Sequence, residues 1–391
     1  MNNGDNEKKK LIMFALPDIN HEEINEVIDT LKSGWLTTGP KVRKFEEEFA
    51  EFIGSKYALA VNSCTGGLHL SLAAAGVGEG DEVITTPFTF VSTVNVILHL
   101  GAKPVFVDIG PDFNIDVNKI EAAITPKTKV ILPVHYSGQP CEMDAIMDLA
   151  KKYNLTVIED AAHAVGAEYK GKKIGTIGDL TAFSFYATKN LTTGEGGMVT
   201  TNNEEYAQKI RKLTLHGISK DAWKRYTSEG SWYYEVIYAG YKYNMTDIQA
   251  AIGLHQLKKI EKFNSKRAEL AQLYTQLLSD VEEIETPKVN PEVKHSWHLY
   301  VIKLNLEMLK IGRSEFIEKL KENGIMTSVH FIPVHLHPYY RETFGFKKGD
   351  FPVAEAIYER VISLPLHTKL EKNAIYYIAE VIKNLCKKYR R

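Results

Sequence analysis

The sequence predicts an α/β protein with a large, doubly wound, mainly parallel sheet domain and a smaller α+β domain at the carboxyl terminus. Short apolar strand patterns alternate with helical patterns from residue 57 onward, and such alternation is typical of a parallel sheet covered by helices. This order changes after about residue 247, where a long amphipathic helix begins. The length of 391 residues suits one large domain and one smaller domain.

The chain begins with residues 1–10, a polar stretch predicted to be a disordered tail. Asn20 and Glu23 then form a potential capping box before apolar residues at helical spacing, and Gly34 is expected to end that helix. Further helices are predicted over residues 42–53, from residue 68, and over 91–100, 144–153 and 204–213. Strands are predicted over residues 57–61, 82–85, 104–107, 130–134, 156–158, 182–185 and 197–200.

The carboxyl-terminal part has a different order of elements. It is predicted to contain a long helix over residues 247–279, a strand over 297–304, a helix over 313–323 that ends at Gly324, and a closing helix over 373–389. We place the domain boundary inside the long helix, so that the large domain covers residues 11–255 and the small domain covers residues 256–391.

Composition argues against several classes of function. The 48 basic and 49 acidic residues give a formal net charge of −1, which produces no overall field to attract nucleic acid. The three cysteines lie far apart without a CxxC pair, which argues against a disulfide framework and against a structural zinc site. No secretion signal and no run of about 18 apolar residues occurs. We therefore expect a cytoplasmic protein without metal, membrane or nucleic-acid partners.

Two residues at strand ends offer reactive chemistry. Asp160 ends an apolar strand, and ligands of open α/β sheets bind at the carboxyl ends of strands. A carboxylate there can keep a pyridine nitrogen protonated, although capping or a surface salt bridge would also explain it. Lys189 follows a strand that should be buried, and desolvation there can lower its pKa and make it a nucleophile. The glycines that follow also fit a simple tight turn.

A third motif, residues 62–67, connects a strand to a helix through small residues. Its backbone N–H groups and the helix dipole could receive a phosphate, although a plain strand-to-helix connection is equally compatible with it. The segment is neither G-x-G-x-x-G nor a P-loop. A phosphate-binding turn, an acidic residue at a strand end and a lysine in a turn would rarely occur together in this order by chance.

With several other segments, these motifs resemble the DegT/DnrJ/StrS family of nucleotide-sugar aminotransferases, which depend on pyridoxal 5′-phosphate (PLP). The family has the aspartate aminotransferase fold, fold type I. The resemblance covers nearly the whole chain. The segments that carry it are residues 33–40, 80–84, 134–138, 158–163, 240–244 and 335–340.

The resemblance implies roles for the reactive residues. Lys189 would hold PLP as a Schiff base and carry the transferred proton. Asp160 would pair with the pyridine nitrogen, and His163 would contact the phenolic oxygen. Phe90 would stack on the cofactor ring, at a position where some relatives have tryptophan.

The resemblance also implies phosphate contacts and a shared site. Thr65, Gly66 and Ser184 would hold the phosphate, and Asn244 would reach the phosphate bound by a neighbouring subunit, which implies a homodimer. The residues expected to face the sugar are Trp35, Thr38, His330, His335 and Tyr339. For the histidines, loop packing between the domains remains an alternative.

By this resemblance the enzyme would move an amino group from an amino acid, expected to be L-glutamate, to a nucleotide-linked keto sugar. The greatest similarity is to enzymes that aminate C-4 of UDP-4-keto sugars, of the 4-amino-4-deoxy-L-arabinose type. Amination of C-3 on a dTDP-sugar is the alternative, whereas the lysine argues against the family's dehydratases, which have histidine there. A non-catalytic PLP-binding regulator would need a DNA-binding module, and a nicotinamide enzyme would need G-x-G-x-x-G.

Overall fold

The computed structural model describes residues 11–219 and 233–391, so the predicted tail at residues 1–10 lies outside the described residues. Its helices are α1 (His21–Ser33), α2 (Pro40–Ile53), α3 (Cys64–Ala74), α4 (Ser92–His99), α5 (Val117–Ala123), α6 (Met143–Tyr153), α7 (Glu204–Leu213), α8 (Asp247–Leu278), α9 (Arg313–Glu322), α10 (Pro338–Phe344), α11 (Pro352–Tyr358) and α12 (Lys372–Tyr389). Its strands are β1 (Tyr57–Val61), β2 (Glu82–Thr85), β3 (Lys103–Phe106), β4 (Thr128–Ile131), β5 (Thr156–Asp160), β6 (Glu168–Tyr169), β7 (Lys172–Lys173), β8 (Leu180–Ser184), β9 (Gly197–Thr201), β10 (Ile284–Glu285), β11 (Val293–Lys294), β12 (Tyr300–Leu304) and β13 (Val361–Leu364).

The central feature is a seven-stranded sheet in the order β1-β9-β8-β5-β4-β2-β3. The strands from β8 to β3 pair in parallel, whereas β9 pairs antiparallel with both β1 and β8. Almost all residues are buried in five of these strands, as expected for a sheet covered on both faces. The five strands are β1, β2, β5, β8 and β9. The prediction of a mainly parallel α/β sheet is confirmed.

Helices cover both faces of this sheet. One core cluster includes apolar residues of α2, α6 and the first half of α8, such as Phe45, Ile146 and Leu254. The cluster on the other face includes residues of α3 and α7, such as Leu68 and Ile210. The sheet is therefore doubly wound, and the loops at its strand ends are free to form a site.

The long helix α8 connects two cores. It begins with a capping box at Thr246 and Gln249, and its later residues Leu270 and Tyr274 pack in a separate cluster with β12, β13 and α12. That second unit contains the sheet β10-β12-β13. Ile12 also pairs with Ile325 of this unit. The boundary at residue 255 stays a prediction.

The predicted strand over residues 297–304 differs from the structure, in which β12 begins only at Tyr300. The preceding residues instead form backbone hydrogen bonds with the loop that follows β4. The N–H of Ser296 donates to the carbonyl of Gly138 (3.1 Å), and that of His298 donates to the carbonyl of Ser137 (2.9 Å). Trp297 has a φ of 52°, which breaks the extended path. The sequence predicts none of the two-residue strands β6, β7, β10 and β11, because two residues carry no detectable alternation.

None of the helices within residues 11–219 and 233–391 combines the length and apolar character needed to cross a membrane.

Candidate active site

A cavity of about 440 Å³ opens where the parallel strands end. Asp160 is the last residue of β5, Ser184 is the last residue of β8, and α3 begins beside them. This is the position at which open α/β sheets bind ligands. The sequence-predicted residues that line this cavity are Thr65, Phe90, Asp160, His163, Ser184, Lys189 and His330.

Lys189 lies in the turn after β8, where its backbone N–H donates to the carbonyl of Tyr186 (2.9 Å). Burial lowers the pKa of Lys189 to about 8, although the nearby carboxyl of Asp160 opposes that shift. Within the described part of the chain, no side chain forms a hydrogen bond or an ion pair with its Nζ. The lysine therefore has an accessible neutral form near neutral pH, as a nucleophile requires.

Asp160 is only 4% exposed and is held from both sides. Its Oδ2 accepts a hydrogen bond from the Thr93 hydroxyl (2.8 Å), and its Oδ1 accepts one from the Ala162 N–H (3.1 Å). Burial nevertheless raises the pKa of this carboxyl above its ordinary value. A cationic ring nitrogen placed beside it would offset that burial and favour the ionised form.

The first turn of α3 forms the next wall. Ser63 caps the helix and accepts a hydrogen bond from the Gly66 N–H (3.0 Å), while first-turn N–H groups of a helix have no acceptor within the helix. The approach of β9 is so close that a Cβ on Gly197 would meet the backbone N of Cys64 at 2.7 Å. The cavity is lined here by Ser63, Cys64 and Thr65 but not by Gly66, whose N–H is taken by Ser63. The remaining first-turn N–H groups and the positive helix end suit a phosphate.

His163 presents a neutral imidazole. Its Nδ1 accepts a hydrogen bond from the Ser137 N–H (3.2 Å), so the hydrogen of the neutral ring is on Nε2. Burial holds the pKa of His163 well below its usual value of 6.5. Phe90 is 58% exposed and lies 6.0 Å from the ring of Phe331, which leaves an aromatic face open to a ligand.

His298 also lines the cavity, although no motif in the sequence singles it out. Its ring lies 4.4 Å from that of His163, and its Nδ1 lies 3.2 Å from Oδ1 of Asn190. His330 also lines the cavity. Its Nδ1 lies 2.8 Å from the Ser363 hydroxyl, and burial lowers its pKa to about 4. The sequence connects His298 with the site only indirectly, since its hydrogen-bond partner Asn190 directly follows Lys189.

Trp35, Thr38 and Asn244 do not line this cavity. Nε1 of Trp35 donates to the carbonyl of Thr38 (3.1 Å), and Nδ2 of Asn244 donates to the Thr38 hydroxyl (2.8 Å). Thr38 and Asn244 line a separate cavity of about 300 Å³. The role predicted for Asn244 concerns a neighbouring subunit, and it stays a prediction.

The structure does not bring His335 or Tyr339 to the cavity. His335 is 0% exposed, and its Nε2 lies 2.9 Å from Oε1 of Glu355, which also binds the Gly349 N–H. Tyr339 is 57% exposed on α10. A buried histidine–glutamate pair therefore stands where the sequence predicted a sugar contact. The pair could not be recognised locally, because the partner of His335 lies 20 residues later in the chain.

The residues around the cavity fit PLP. They offer an amine with a lowered pKa, a buried carboxyl without a cationic bond partner, an open aromatic face and a helix start. These groups match the aldehyde, the pyridine nitrogen, the ring and the phosphate of the cofactor. Among residues 11–219 and 233–391, no group of three or more His, Cys, Asp or Glu is arranged to hold a metal ion.

Comparisons with known sequences extend over nearly the whole chain. Residues 17–383 match the model of the DegT/DnrJ/EryC1/StrS aminotransferase family. The chain is 62% identical to protein MJ1066 of Methanocaldococcus jannaschii over 375 residues, which cover 96% of this chain and 97% of that protein. It is 54% identical to the spore coat polysaccharide biosynthesis protein SpsC of Bacillus subtilis over 382 residues, which cover 97% of this chain and 98% of SpsC.

Solved structures agree with these matches. The putative sugar aminotransferase Spr1654 of Streptococcus pneumoniae in its PMP form superposes with a TM-score of 0.90 at 38% identity, covering 96% of this chain and 99% of that chain. The same protein in its PLP form also superposes with a TM-score of 0.90. Helicobacter pylori PseC, an aminotransferase involved in the biosynthesis of pseudoaminic acid, gives a TM-score of 0.91 at 33% identity, covering 97% of this chain and 100% of that chain. The chain thus has fold type I, belongs to the DegT/DnrJ/EryC1/StrS aminotransferase family and is a PLP-dependent sugar aminotransferase.

Proposed function

We propose that this enzyme takes an amino group from L-glutamate and transfers it, in a ping-pong reaction, to C-4 of a UDP-4-keto-6-deoxy or UDP-4-keto-pentose sugar. The observation that carries the proposal is the shared cavity of Lys189 and Asp160 at the strand ends. The polysaccharide role of SpsC and the pseudoaminic acid role of PseC support a sugar acceptor. The similarity to enzymes that aminate UDP-4-keto sugars, at residues 33–40, 133–136 and 239–244, supports the carbon and the nucleotide.

Lys189 is proposed as both the attachment point and the proton carrier. When bound, PLP supplies a ring that holds the amino group and withdraws electrons from the carbon that loses a proton. Because burial lowers the pKa of Lys189 to about 8, its free Nζ can accept the proton from Cα of the amino acid. The same Nζ would pass that proton to the cofactor side. In the second half of the reaction it would take a proton from the cofactor side and deliver it to C-4 of the sugar, the former carbonyl carbon.

The surrounding side chains would hold and orient the cofactor. Thr93 and the Ala162 N–H fix both oxygens of Asp160, and this carboxylate would pair with the pyridine nitrogen. The neutral His163 would donate from Nε2 to the phenolic oxygen, and Phe90 would cover the ring. Thr65, Gly66 and Ser184 would bind the phosphate at the start of α3.

The proposed dimer shares its sites through Asn244. We expect Lys189→Ala and Asn244→Ala chains to be nearly inactive alone. Random mixing of the two chains would restore about a quarter of the wild-type activity, since half of the dimers would contain one intact site of two. A mixture that stays inactive after subunit exchange, although hybrid dimers form, would contradict sharing.

A substrate panel tests the reaction itself. The purified enzyme is loaded with its amino group from L-glutamate and is then offered UDP- and dTDP-linked 4-keto and 3-keto sugars, with the amino sugar detected by mass spectrometry. We expect turnover of the UDP-linked 4-keto sugars. Acceptance of 3-keto dTDP-sugars alone would replace the C-4 assignment by the C-3 alternative.

A further inference from the structure

We propose that Nε2 of His298 accepts a hydrogen bond from a hydroxyl group of the keto-sugar substrate and thereby helps to select that substrate. The proposal deepens the proposed function and rests on it, because it concerns the acceptor half of the same reaction. His298 would be a specificity-determining residue that acts on the sugar and not on the amino donor.

The hydrogen-bond partners of Asn190 determine which nitrogen of His298 carries the hydrogen. Nδ2 of Asn190 donates to the backbone carbonyl of Ser296 (2.7 Å) and to Oδ1 of Asn264 (2.8 Å). A carbonyl oxygen can only accept, so this contact fixes the orientation of the amide. Oδ1 of Asn190 therefore faces Nδ1 of His298 at 3.2 Å, and Nδ1 must be the donor.

The other ring nitrogen of His298 is consequently a bare acceptor. Burial holds the pKa of His298 well below its usual value of 6.5, and the charge of Lys189 acts in the same direction. The ring is therefore neutral at physiological pH, with its lone pair on Nε2. His298 lines the cavity, and no described residue donates a hydrogen bond to Nε2.

The backbone of His298 is held as firmly as its ring. Its N–H donates to the carbonyl of Ser137 (2.9 Å), and its own carbonyl accepts a hydrogen bond from Arg267 (3.3 Å). These contacts come from two distant parts of the chain and are independent of any ligand. The direction of Nε2 is thus set before a substrate arrives, as a specificity contact requires.

The chemistry of the substrates decides what Nε2 can bind. A bare nitrogen attracts a hydrogen-bond donor and repels the oxygens of carboxylates and diphosphates. L-Glutamate has one donor group, the amino group that it transfers, whereas a sugar carries several hydroxyls. Glu195, whose carboxylate can only accept when ionised, lines the same cavity, and Lys189 is the only lysine or arginine among its described lining residues. This wall therefore suits hydroxyl groups.

Two substitutions that each introduce an amide test the role of Nε2. His298→Asn keeps an amide donor near Nδ1 for Asn190 but has no acceptor at the position of Nε2, whereas His298→Gln can place its amide oxygen there. The two half-reactions are followed separately by the absorbance of the bound cofactor, first with L-glutamate and then with a UDP-4-keto sugar that the wild type accepts. Repeating the second half-reaction with analogues that lack one hydroxyl identifies the partner.

We expect both variants to react with L-glutamate within about twofold of the wild type. In the second half-reaction His298→Asn should lose about tenfold in kcat/KM, as expected for one lost hydrogen bond to a buried group, and His298→Gln should recover most of it. Removal of the partner hydroxyl from the sugar should cost the wild type about the same and His298→Asn almost nothing.

Other results would overturn the proposal. Equal losses in both half-reactions would indicate a structural role or a role toward the amino donor, and no loss in either would remove the role altogether. A long-range ¹H–¹⁵N spectrum of the histidine-labelled holoenzyme that shows the His298 hydrogen on Nε2 would also refute it. A wild type that aminates dTDP-linked or 3-keto sugars instead changes the proposed function alone, because the comparison of variants then uses that substrate.

Discussion

The reactivity of Lys189 in the apoenzyme is the most direct test of how the fold tunes this site. Burial lowers the pKa of Lys189 from 10.5 to about 8. At pH 7 an amine with a pKa of about 8 is roughly 9% neutral, whereas one with a pKa of 10.5 is about 0.03% neutral, a ratio of roughly 300. Since only the neutral amine is a nucleophile, Lys189 should be acylated far faster at neutral pH than an exposed lysine with equal access.

Competitive labelling measures this difference. The apoenzyme is treated with a trace of acetic anhydride between pH 6 and pH 11, and labelling of each lysine is quantified by mass spectrometry. Lys44, whose side chain is 61% exposed, provides the reference in the same sample. We expect the labelling of Lys189 to rise through a midpoint near pH 8, because its neutral form increases with pH through that pKa.

A substitution gives the sign of the electrostatic contribution. The Asp160 carboxyl raises the pKa of Lys189 against the larger effect of burial. Asp160→Asn should therefore move the labelling midpoint of Lys189 further down, by about half a unit to one unit. A midpoint near 10.5 in the wild type, or an upward shift in Asp160→Asn, would refute the reasoning.

Three further substitutions test the supports of the site. Thr93→Val removes the hydroxyl that binds Asp160 and should weaken PLP binding about fivefold to tenfold in a release titration, whereas Thr93→Ser should not. Gly197→Ala should lower the free energy of unfolding by about 1–3 kcal/mol because of its close contact with α3, with Gly78→Ala, which meets nothing, as the control. His335→Leu should lower Tm because the buried Glu355 loses its side-chain partner and keeps only backbone N–H groups, with kcat/KM for the sugar unchanged; a raised KM alone would restore His335 as a sugar contact.

The large sheet could be predicted because each of its elements carries its own signal. The strand at residues 57–61 and the helix that ends at Gly34 agree with the structure to the residue, since apolar periodicity and a capping box are local features. Lys189 and Asp160 could be placed at one edge for the same reason. Parallel strands bring their carboxyl ends together whatever the rest of the chain does.

The environments of His298 and His335 could not be predicted, because their contacts join distant parts of the chain. His298 takes its tautomer from Asn190, which is 108 residues away, and its backbone position from Ser137. From residues 297–304 alone, the apolar pattern predicted a continuous strand. His335 shows the opposite outcome, since the family resemblance suggested a sugar contact, whereas the structure buries this histidine beside Glu355.

Burial drives several ionisable groups of the cavity toward their neutral forms. It raises the pKa of Asp160 and lowers those of Lys189, His163, His298 and His330. For the lysine and the histidines this is the useful state, since a nucleophile, a neutral donor and a neutral acceptor are all unprotonated bases. For Asp160 it is not, because the partner of a pyridinium must be ionised. The carboxylate therefore depends on a cation beside it, which couples its ionisation to cofactor binding.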